Sequence, residues 1–471
     1  MGKMKRTRQK QKLAAAVEPQ RASRLPYLSL GVILVVALAI RIHPVVYSPE
    51  ASRGGRGMFG DTYLYHAIAY NLYKGNGFSG TDYGGSLGLR ENKRGLPYEP
   101  AIVRAPLYPL FLAGVYTVFG SHEAMRSPSA WRETFDRVRL TQCVLDAFVC
   151  LLVFFITRSV FPAPAWPALV AATLYAFSAY NIFYTRALLT ESLATFLVAA
   201  STLLTILGLR QGKPLWWFLA GAGWGVTALC RPEYLPFNVV IVGLPFLANW
   251  RRWRILYKSL IAVVLGVVLT VTPWVLRNYV VFKQPVLTVG GLGYSLFLGT
   301  FETNTNWTGW NQFPAEIFAD AREAEAVESL DRTYTALLAT GSVAIKEVDD
   351  RFLKLALERI RHDPGDTLKT WVIRIPRLWY QFYIPMHRDR EASGYFFILY
   401  FVFALYAFVR APREEKLLMG PMGLLCIYVT LIYLPLHIEP RYSVLCMPGL
   451  ISLSGIGLWK AWYWGVNLGG A

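Results

Sequence analysis

Apolar residues form eleven long runs along the chain, and most charged residues lie between these runs. Ten of the runs contain 16 to 23 residues, close to the roughly 20 that a helix needs to cross a bilayer. These ten are residues 25–47, 140–157, 164–181, 187–209, 215–230, 235–250, 259–276, 394–409, 417–435 and 442–462. The pattern predicts an all-α polytopic membrane protein with about ten transmembrane helices.

The eleventh run, residues 106–119, is too short to cross a bilayer and contains Pro106 and Pro109. If it does not cross, the short loops on one side carry ten Lys or Arg and those on the other side three. Short cytoplasmic loops retain Lys and Arg, so the richer side is expected to be cytoplasmic. Residues 106–119 are therefore predicted to form a helix at the outer membrane face.

This topology divides the chain into four parts. Residues 1–24 form a basic cytoplasmic tail, and residues 25–276 form an N-terminal transmembrane catalytic module. The outer loop 48–139 of that module is expected to carry interfacial helices. Residues 277–393 are predicted to be a mainly helical extracytoplasmic segment, and residues 394–471 contain the C-terminal transmembrane helices.

Composition supports a membrane protein and excludes two other classes. Hydrophobic residues make up 54% of the chain and charged residues only 17%, against about 25% charged in soluble domains. A soluble enzyme and a disordered protein are therefore excluded. The net charge of +18 is attributed to cytoplasmic loops, and no nucleic-acid partner is expected. The five cysteines form neither a CxxC pair nor a Cys/His cluster, so no zinc site or disulfide framework is indicated.

Two carboxylates are expected at the outer membrane face. Because ionisable side chains within a membrane are costly, they are candidates for a functional site. Asp61 lies in Phe59-Gly-Asp-Thr-Tyr-Leu-Tyr65-His66, at or near the start of a short amphipathic helix. Capping that helix is the alternative explanation for Asp61. Glu191 lies where the third predicted crossing turns into the fourth.

Several cations are predicted on the same side as these carboxylates. The alternative explanation for each single arginine is a position at the membrane surface, with its aliphatic stem in the membrane and its charged group in water. Together with two carboxylates they suit a reaction on an anionic lipid, because a carboxylate accepts a proton from a hydroxyl and arginines hold a phosphate through paired contacts. The cations are Arg104, Arg186, Arg231, Arg277, Arg441 and His437, with Tyr65 and Glu439 beside them as further substrate-binding candidates.

Five motifs occur in a characteristic order along nearly the whole chain. They are Asp61 with Gly75-Asn-Gly77 and Pro106-Leu-Tyr-Pro109; Arg186 to Glu191; Pro273-Trp-Val-Leu-Arg277-Asn278-Tyr279; Gly290-Gly-Leu-Gly-Tyr294; and Glu439-Pro-Arg441-Tyr442. In this order they resemble the membrane glycosyltransferases of the C-type fold (GT-C). Family 39, the protein mannosyltransferase and aminoarabinose transferase group, is the branch they resemble most.

The resemblance implies a reaction and roles for individual residues. The donor would be a sugar, a hexose or a pentose, on a polyprenyl phosphate presented from the outer leaflet. Asp61 would be the general base on the acceptor hydroxyl, which attacks C1 with inversion. Glu191 would orient the acceptor, position a basic residue or join a metal site. The leaving phosphate would be bound by Arg104, Arg277 and Arg441, with Tyr294 nearby.

Two departures from the family leave the acceptor and the metal open. Asp61 is followed by Thr62 instead of the Glu of yeast-type protein mannosyltransferases, and the chain lacks their large lumenal insert. The acceptor is therefore an unidentified lipid, glycan or protein. His66 and His437 are candidate ligands for a divalent metal, although a single His is more simply explained as a hydrogen-bonded polar residue. The compact chain suggests a bacterial or archaeal plasma membrane, with the active site outside the cytoplasm.

Two other classes of function remain. A transporter, a flippase or a polymerase-like protein acting on lipid-linked sugars would place charges or broken helices near the bilayer midplane. Residues 259–272 contain no ionisable group, and the charges collect at one face, which favours the transferase. A non-catalytic membrane scaffold is the third class.

Overall fold

The regular structure of this chain is helical. The computed structural model describes residues 24–47, 60–80, 100–119, 128–249, 253–302, 313, 317–379 and 390–468. Within these ranges there is no strand, and one isolated bridge pairs Ser79 with Pro100. The predicted all-α polytopic fold is confirmed. Nearly all of the predicted basic tail, residues 1–24, lies outside the described residues, as do residues 48–59 and 81–99 of the predicted outer loop.

The described helices follow one another along the chain in this order. The first half contains α1 (Leu25–Tyr47), α2 (Gly60–Tyr73), α3 (Leu107–Phe119), α4 (Pro128–Val160), α5 (Trp166–Ala176), α6 (Ala179–Tyr184), α7 (Glu191–Gln211), α8 (Pro214–Cys230), α9 (Phe237–Asn249) and α10 (Trp253–Phe282). The second half contains α11 (Leu292–Gly299), α12 (Ala321–Thr340), α13 (Ile345–His362), α14 (Pro364–Ile373), α15 (Ile375–Trp379), α16 (Arg390–Val409), α17 (Arg413–Tyr433) and α18 (Met447–Leu468). Two 3-10 helices, Pro232–Tyr234 and Pro440–Cys446, precede α9 and α18.

Six helices in the described part are long and apolar enough to cross a membrane. They are Leu25–Tyr47, Glu133–Val160, Glu191–Gln211, Leu256–Phe282, Arg413–Tyr433 and Pro440–Trp464. All six coincide with predicted crossings, and the other four predicted crossings correspond to shorter helices. The eleventh apolar run forms α3, which has 13 residues. That length is too short for a crossing.

The predicted crossing at residues 164–181 is not one continuous helix. α5 ends at Ala176 and α6 begins at Ala179. The carbonyl oxygens of Tyr175 and Ala176 accept hydrogen bonds from the buried Arg41 guanidinium, at 3.4 and 2.9 Å. The break is tolerated because carbonyls without helical partners find a side-chain donor.

Residues of the predicted extracytoplasmic segment pack as a small second core. Ile345, Val348, Phe352 and Ala356 lie on one face of α13 and are buried. Their spacing is that of an amphipathic helix. Phe352 packs edge-on against Tyr294 of α11, with ring centroids 5.0 Å apart. This contact fixes α11 against α13.

α11 is held at its start by a single carboxylate. Asp349 of α13 accepts hydrogen bonds from the backbone N–H groups of Gly291, Gly293 and Tyr294, at 2.9, 3.1 and 2.9 Å. Gly291 has φ of 98°, a conformation that favours glycine. The turn places the next carbonyls of α11 toward the end of α17.

The far end of α11 lies directly against the chain that follows α17. A Cβ on Gly299 would lie 1.9 Å from the Pro435 carbonyl oxygen, so only glycine fits there. The backbone N–H of His437 donates to the Ser295 carbonyl at 2.8 Å. These contacts place Glu302, three residues after α11 ends, beside His437.

Candidate active site

A cluster of paired charges forms where several helices end, and Asp61 is at its centre. Asp61 lies in the first turn of α2. Arg104 donates to its Oδ1 at 2.7 Å and Arg441 to its Oδ2 at 3.1 Å. Burial alone would raise the pKa of Asp61, but the two guanidinium groups outweigh it, and the pKa lies below its ordinary value. Asp61 is therefore a carboxylate held ionised between two arginines.

Arg441 joins three carboxylates. It lies in the 3-10 helix Pro440–Cys446 and is almost fully buried. Besides its bond to Asp61, its Nε lies 2.6 Å from Glu439 Oε2 and 3.9 Å from Glu191 Oε1. The guanidinium therefore connects the start of α2 to the start of α7.

Glu191 is the first residue of α7 and is buried. Its Oε1 accepts a hydrogen bond from Arg231 at 2.6 Å. Arg231 also donates to Glu233 at 3.0 Å and to the Thr190 hydroxyl at 3.0 Å. Glu233 in turn accepts a hydrogen bond from the Tyr433 hydroxyl at 2.7 Å. Glu191 therefore pairs with a basic residue in this structure, and its role in the reaction stays a prediction.

His437 bridges two further carboxylates. Its Nδ1 lies 2.7 Å from Glu302 Oε2, and its Nε2 lies 3.2 Å from Glu439 Oε1. Burial alone would lower the pKa of His437, but the two carboxylates outweigh it and raise the pKa to about 9. Burial would raise the pKa of Glu439, yet Arg441 and His437 lower it. His437 is therefore a cation at neutral pH.

The charged His437 predicts a loss of stability at alkaline pH. Its pKa rises from 6.5 to about 9 on folding, so its contribution is complete below pH 6.5 and disappears as the pH rises through about 9. The full contribution is on the order of 3 kcal/mol for a shift of this size. Thermal unfolding of wild type between pH 6.5 and about 9 should show this loss of stability. The His437→Gln variant should lack most of this pH dependence. His362→Gln, at an exposed position, is the control; an identical pH dependence in wild type and His437→Gln would contradict the assignment.

Aromatic rings line the cluster. The Arg104 guanidinium lies 5.5 Å from the centre of the Tyr65 ring. Arg231 and Arg441 lie 5.6 and 5.5 Å from the Tyr442 ring. Cation–π contacts of this kind stabilise partly desolvated cations. Tyr65 therefore contacts an arginine of the cluster, and its substrate-binding role stays a prediction.

Arg277 does not join the cluster in the described structure. Its guanidinium donates to the carbonyls of Ala101 and Phe78, at 2.8 and 3.2 Å. These contacts brace the segment that leads to Arg104. Its phosphate-binding role stays a prediction.

Tyr294 and Arg186 also lie apart from Asp61. The Tyr294 hydroxyl bonds to Asp331, and its ring stacks on Tyr334 with centroids 4.5 Å apart. Arg186 packs over the Phe183 ring at 5.5 Å. Their predicted contacts with the donor and the acceptor stay predictions.

Four members of the cluster were not selected from the sequence. They are Glu233, Glu302, Arg374 and Arg377. Glu302 is the first carboxylate after Glu233 along the chain. Its isolation in a long stretch without acidic residues could have marked it as a candidate. Arg374 had no motif to mark it, because its neighbours in the sequence are unremarkable apolar residues.

Two other polar residues, Asp146 and His66, have structural partners within the helices. Asp146, within α4, accepts hydrogen bonds from Arg41 and from the Tyr175 hydroxyl, each at 2.6 Å. This buried pair joins α1, α4 and α5, so Asp146 makes helix–helix hydrogen bonds. His66 is buried 2.9 Å from the Tyr116 hydroxyl. Among the described residues no group of three or more His, Cys, Asp or Glu is arranged to hold a metal ion.

Helices of membrane-spanning length and a charged cluster at their ends define a multi-pass membrane protein with a fold like that of the GT-C glycosyltransferases. The structure is similar to the crystal structure of the apo oligosaccharyltransferase from Archaeoglobus fulgidus, with a TM-score of 0.52 and 12% identity. The alignment covers 93% of this chain and 51% of that one. The chain therefore spans about half the length of that protein, and the likeness concerns the fold alone.

Residues 103–276 match the family model described as dolichyl-phosphate-mannose-protein mannosyltransferase. A second structure, ArnT from Cupriavidus metallidurans bound to undecaprenyl phosphate, aligns over 93% of this chain and 77% of that chain. Its TM-score is 0.36 and its identity 15%, too low a score to establish a shared fold. A comparison with curated protein sequences finds no match. The resemblance to membrane glycosyltransferases of this group is confirmed.

Proposed function

We propose that the protein transfers a sugar from a polyprenyl-phosphate donor to an acceptor hydroxyl at the outer membrane face. One observation carries the proposal: Asp61 lies between Arg104 and Arg441 and is open to solvent in a cluster that is otherwise more buried. Its side chain is 28% exposed, against 24% for Glu233 and 17% for Glu439. Asp61 is therefore a partly exposed carboxylate that two arginines flank, and a substrate hydroxyl can approach it.

The charges of the cluster leave room for an anion. Six cations face five carboxylates in the described part of the chain, so one positive charge is in excess when His437 is protonated. The cations are Arg104, Arg231, Arg374, Arg377, Arg441 and His437, and the carboxylates are Asp61, Glu191, Glu233, Glu302 and Glu439. The cluster as a whole would therefore bind one added anionic group favourably. The excess lies among Arg374, Arg377 and His437, which face Glu302 and Glu439.

Asp61 as paired here is a weak base, because two arginines lower its pKa. A general base works best when its pKa lies near the working pH. A donor phosphate that takes over the hydrogen bonds of Arg104 and Arg441 would withdraw positive charge from Asp61 and raise its pKa. Donor binding would in this way prepare the base for the acceptor.

The reaction then proceeds in one displacement. The acceptor oxygen attacks C1 of the sugar while its proton passes to Asp61. The bond from C1 to the phosphate oxygen breaks, its electron pair stays on the polyprenyl phosphate, and the configuration at C1 inverts. Arg104 and Arg441 stabilise the charge that develops on the phosphate. Glu191 holds Arg231 and Arg441 in place.

A panel of labelled donors tests this function. Purified protein receives hexose and pentose polyprenyl phosphates together with membranes of the source cell as the source of acceptor. We expect one donor class to yield labelled product with inverted configuration at C1, and one polyprenyl phosphate released for each sugar transferred. Movement of the lipid-linked sugar across vesicles without any transfer would contradict the enzyme and favour the flippase.

A further inference from the structure

One cation of the cluster, Arg374 at the junction of α14 and α15, is incompletely paired. Arg374 is fully buried, and its Nη2 donates to the Leu434 carbonyl at 2.8 Å. Its Nε and Nη1 have no hydrogen-bond partner in the part of the chain that the structure describes. The nearest carboxylate oxygen, Glu302 Oε2, is 4.0 Å away and already contacts His437. Among the described residues, the carboxylate nearest to Arg374 is therefore one that it shares with His437.

This arrangement is costly without an anion. A buried ion that is incompletely paired costs several kcal/mol. Arg377, also buried, lies near the same carboxylates. Burial, together with the nearby charge of Arg377, outweighs Glu302 and lowers the pKa of Arg374 to about 10. The C-terminal end of α14 favours a cation by only about 0.3–1 kcal/mol, which is too little to offset the burial.

The surface beside Arg374 is apolar. Leu368, Val372 and Ile373 of α14 are exposed, directly before Arg374 in the chain. On α17, which provides the carbonyl that Arg374 contacts, Ile427 and Leu431 are exposed as well. Exposed apolar side chains on helices next to a membrane face are typical of contact with lipid. An anion would therefore reach Arg374 from the lipid side, attached to an apolar tail.

We propose that Arg374, with Arg377 beside it, binds the phosphate headgroup of an anionic lipid that serves as the acceptor. The site is separate from the donor phosphate at Arg104 and Arg441. Side-chain contacts through Glu302, His437 and Glu439 lie between Arg374 and Arg441. The lipid would place its hydroxyl toward Asp61. The assignment as acceptor rests on the proposed function, whereas the lipid site itself does not.

Lipid binding by native mass spectrometry tests the site. The protein is held in phosphatidylcholine nanodiscs and titrated with phosphatidic acid. Wild type should retain one more phosphatidic acid than Arg374→Met, or bind it about tenfold or more tightly, as expected for a charge-assisted hydrogen bond. Arg361→Met, an exposed arginine of α13, should match wild type. Equal stoichiometry and affinity in wild type and Arg374→Met would overturn the site.

Two further measurements keep the proposal testable. If Arg374→Met does not fold, a photoactivatable phosphatidic acid is used with wild type and should label residues 364–379; labelling confined to other segments would overturn the site. Inorganic phosphate is titrated as the soluble alternative, and displacement of the lipid at equal concentration would overturn the assignment to a lipid. Neither measurement involves sugar transfer, so its failure leaves the proposed transferase standing. Failed transfer likewise leaves the lipid site standing.

Discussion

Asp61→Asn is expected to reduce sugar transfer by about 10²–10⁴-fold, the usual contribution of a general base. Asparagine keeps the size of the side chain but accepts no proton at neutral pH. The substitution leaves Arg441 with Glu439 and Glu191 as partners. Initial rates at saturating donor and acceptor measure the effect, because the loss should fall on kcat.

Asp136→Asn is the matched control for this prediction. Asp136 also pairs with an arginine, Arg139 at 2.7 Å, and lies outside the cluster around Asp61. Its substitution should leave transfer within about twofold of wild type, since Arg139 keeps its hydrogen bond to the Arg186 carbonyl oxygen. Wild-type turnover by a folded Asp61→Asn protein would remove Asp61 from the role of base.

Arg441→Lys is expected to lower kcat/KM for the donor by about 10²–10³-fold, the effect of losing one donor to a developing oxyanion. A lysine ammonium group keeps the charge but cannot reproduce the planar, paired contacts of a guanidinium. Arg441 faces Asp61, Glu439 and Glu191 together, and one ammonium cannot contact all of them in the same geometry. Steady-state kinetics with the donor varied at fixed acceptor measures the change.

Lysine is chosen because removal of the charge would confuse folding with catalysis. Arg441→Met would leave buried carboxylates without their cation, a change that costs about 3–5 kcal/mol of stability. Arg137→Lys, at an exposed pair with Glu133, controls for the substitution itself. If Arg441→Lys changed only the KM for the acceptor, the assignment of Arg441 to the donor phosphate would be wrong.

Local structure was largely predictable from the sequence, because its causes are local. Long apolar runs give membrane-length helices, and all six long helices of the described chain lie within predicted crossings. The glycines at 75 and 77, both with positive φ, follow the end of α2 as expected. The break after Ala176 was missed, because Arg41, 135 residues away, satisfies the carbonyl oxygen it frees.

The choice among the arginines could not be made from the sequence. Arg277 and Arg441 each follow an apolar run and carry similar motifs, yet Arg277 contacts backbone carbonyls and Arg441 contacts carboxylates. Arg374 carries no motif, and only its burial distinguishes it. Which cation faces which anion depends on how helices far apart in the chain pack together.

The sequence alone determined that this is a helical membrane protein of the GT-C type with acidic and basic residues at one face, because hydropathy and motif order are local properties. The placement of these residues at one membrane face stays a prediction, and only the tertiary structure decided which of them pair with one another. Asp61 and Arg441 are 380 residues apart in the chain and 3.1 Å apart in space. Their pairing depends on the packing of α2 beside the start of α18, which no local pattern records.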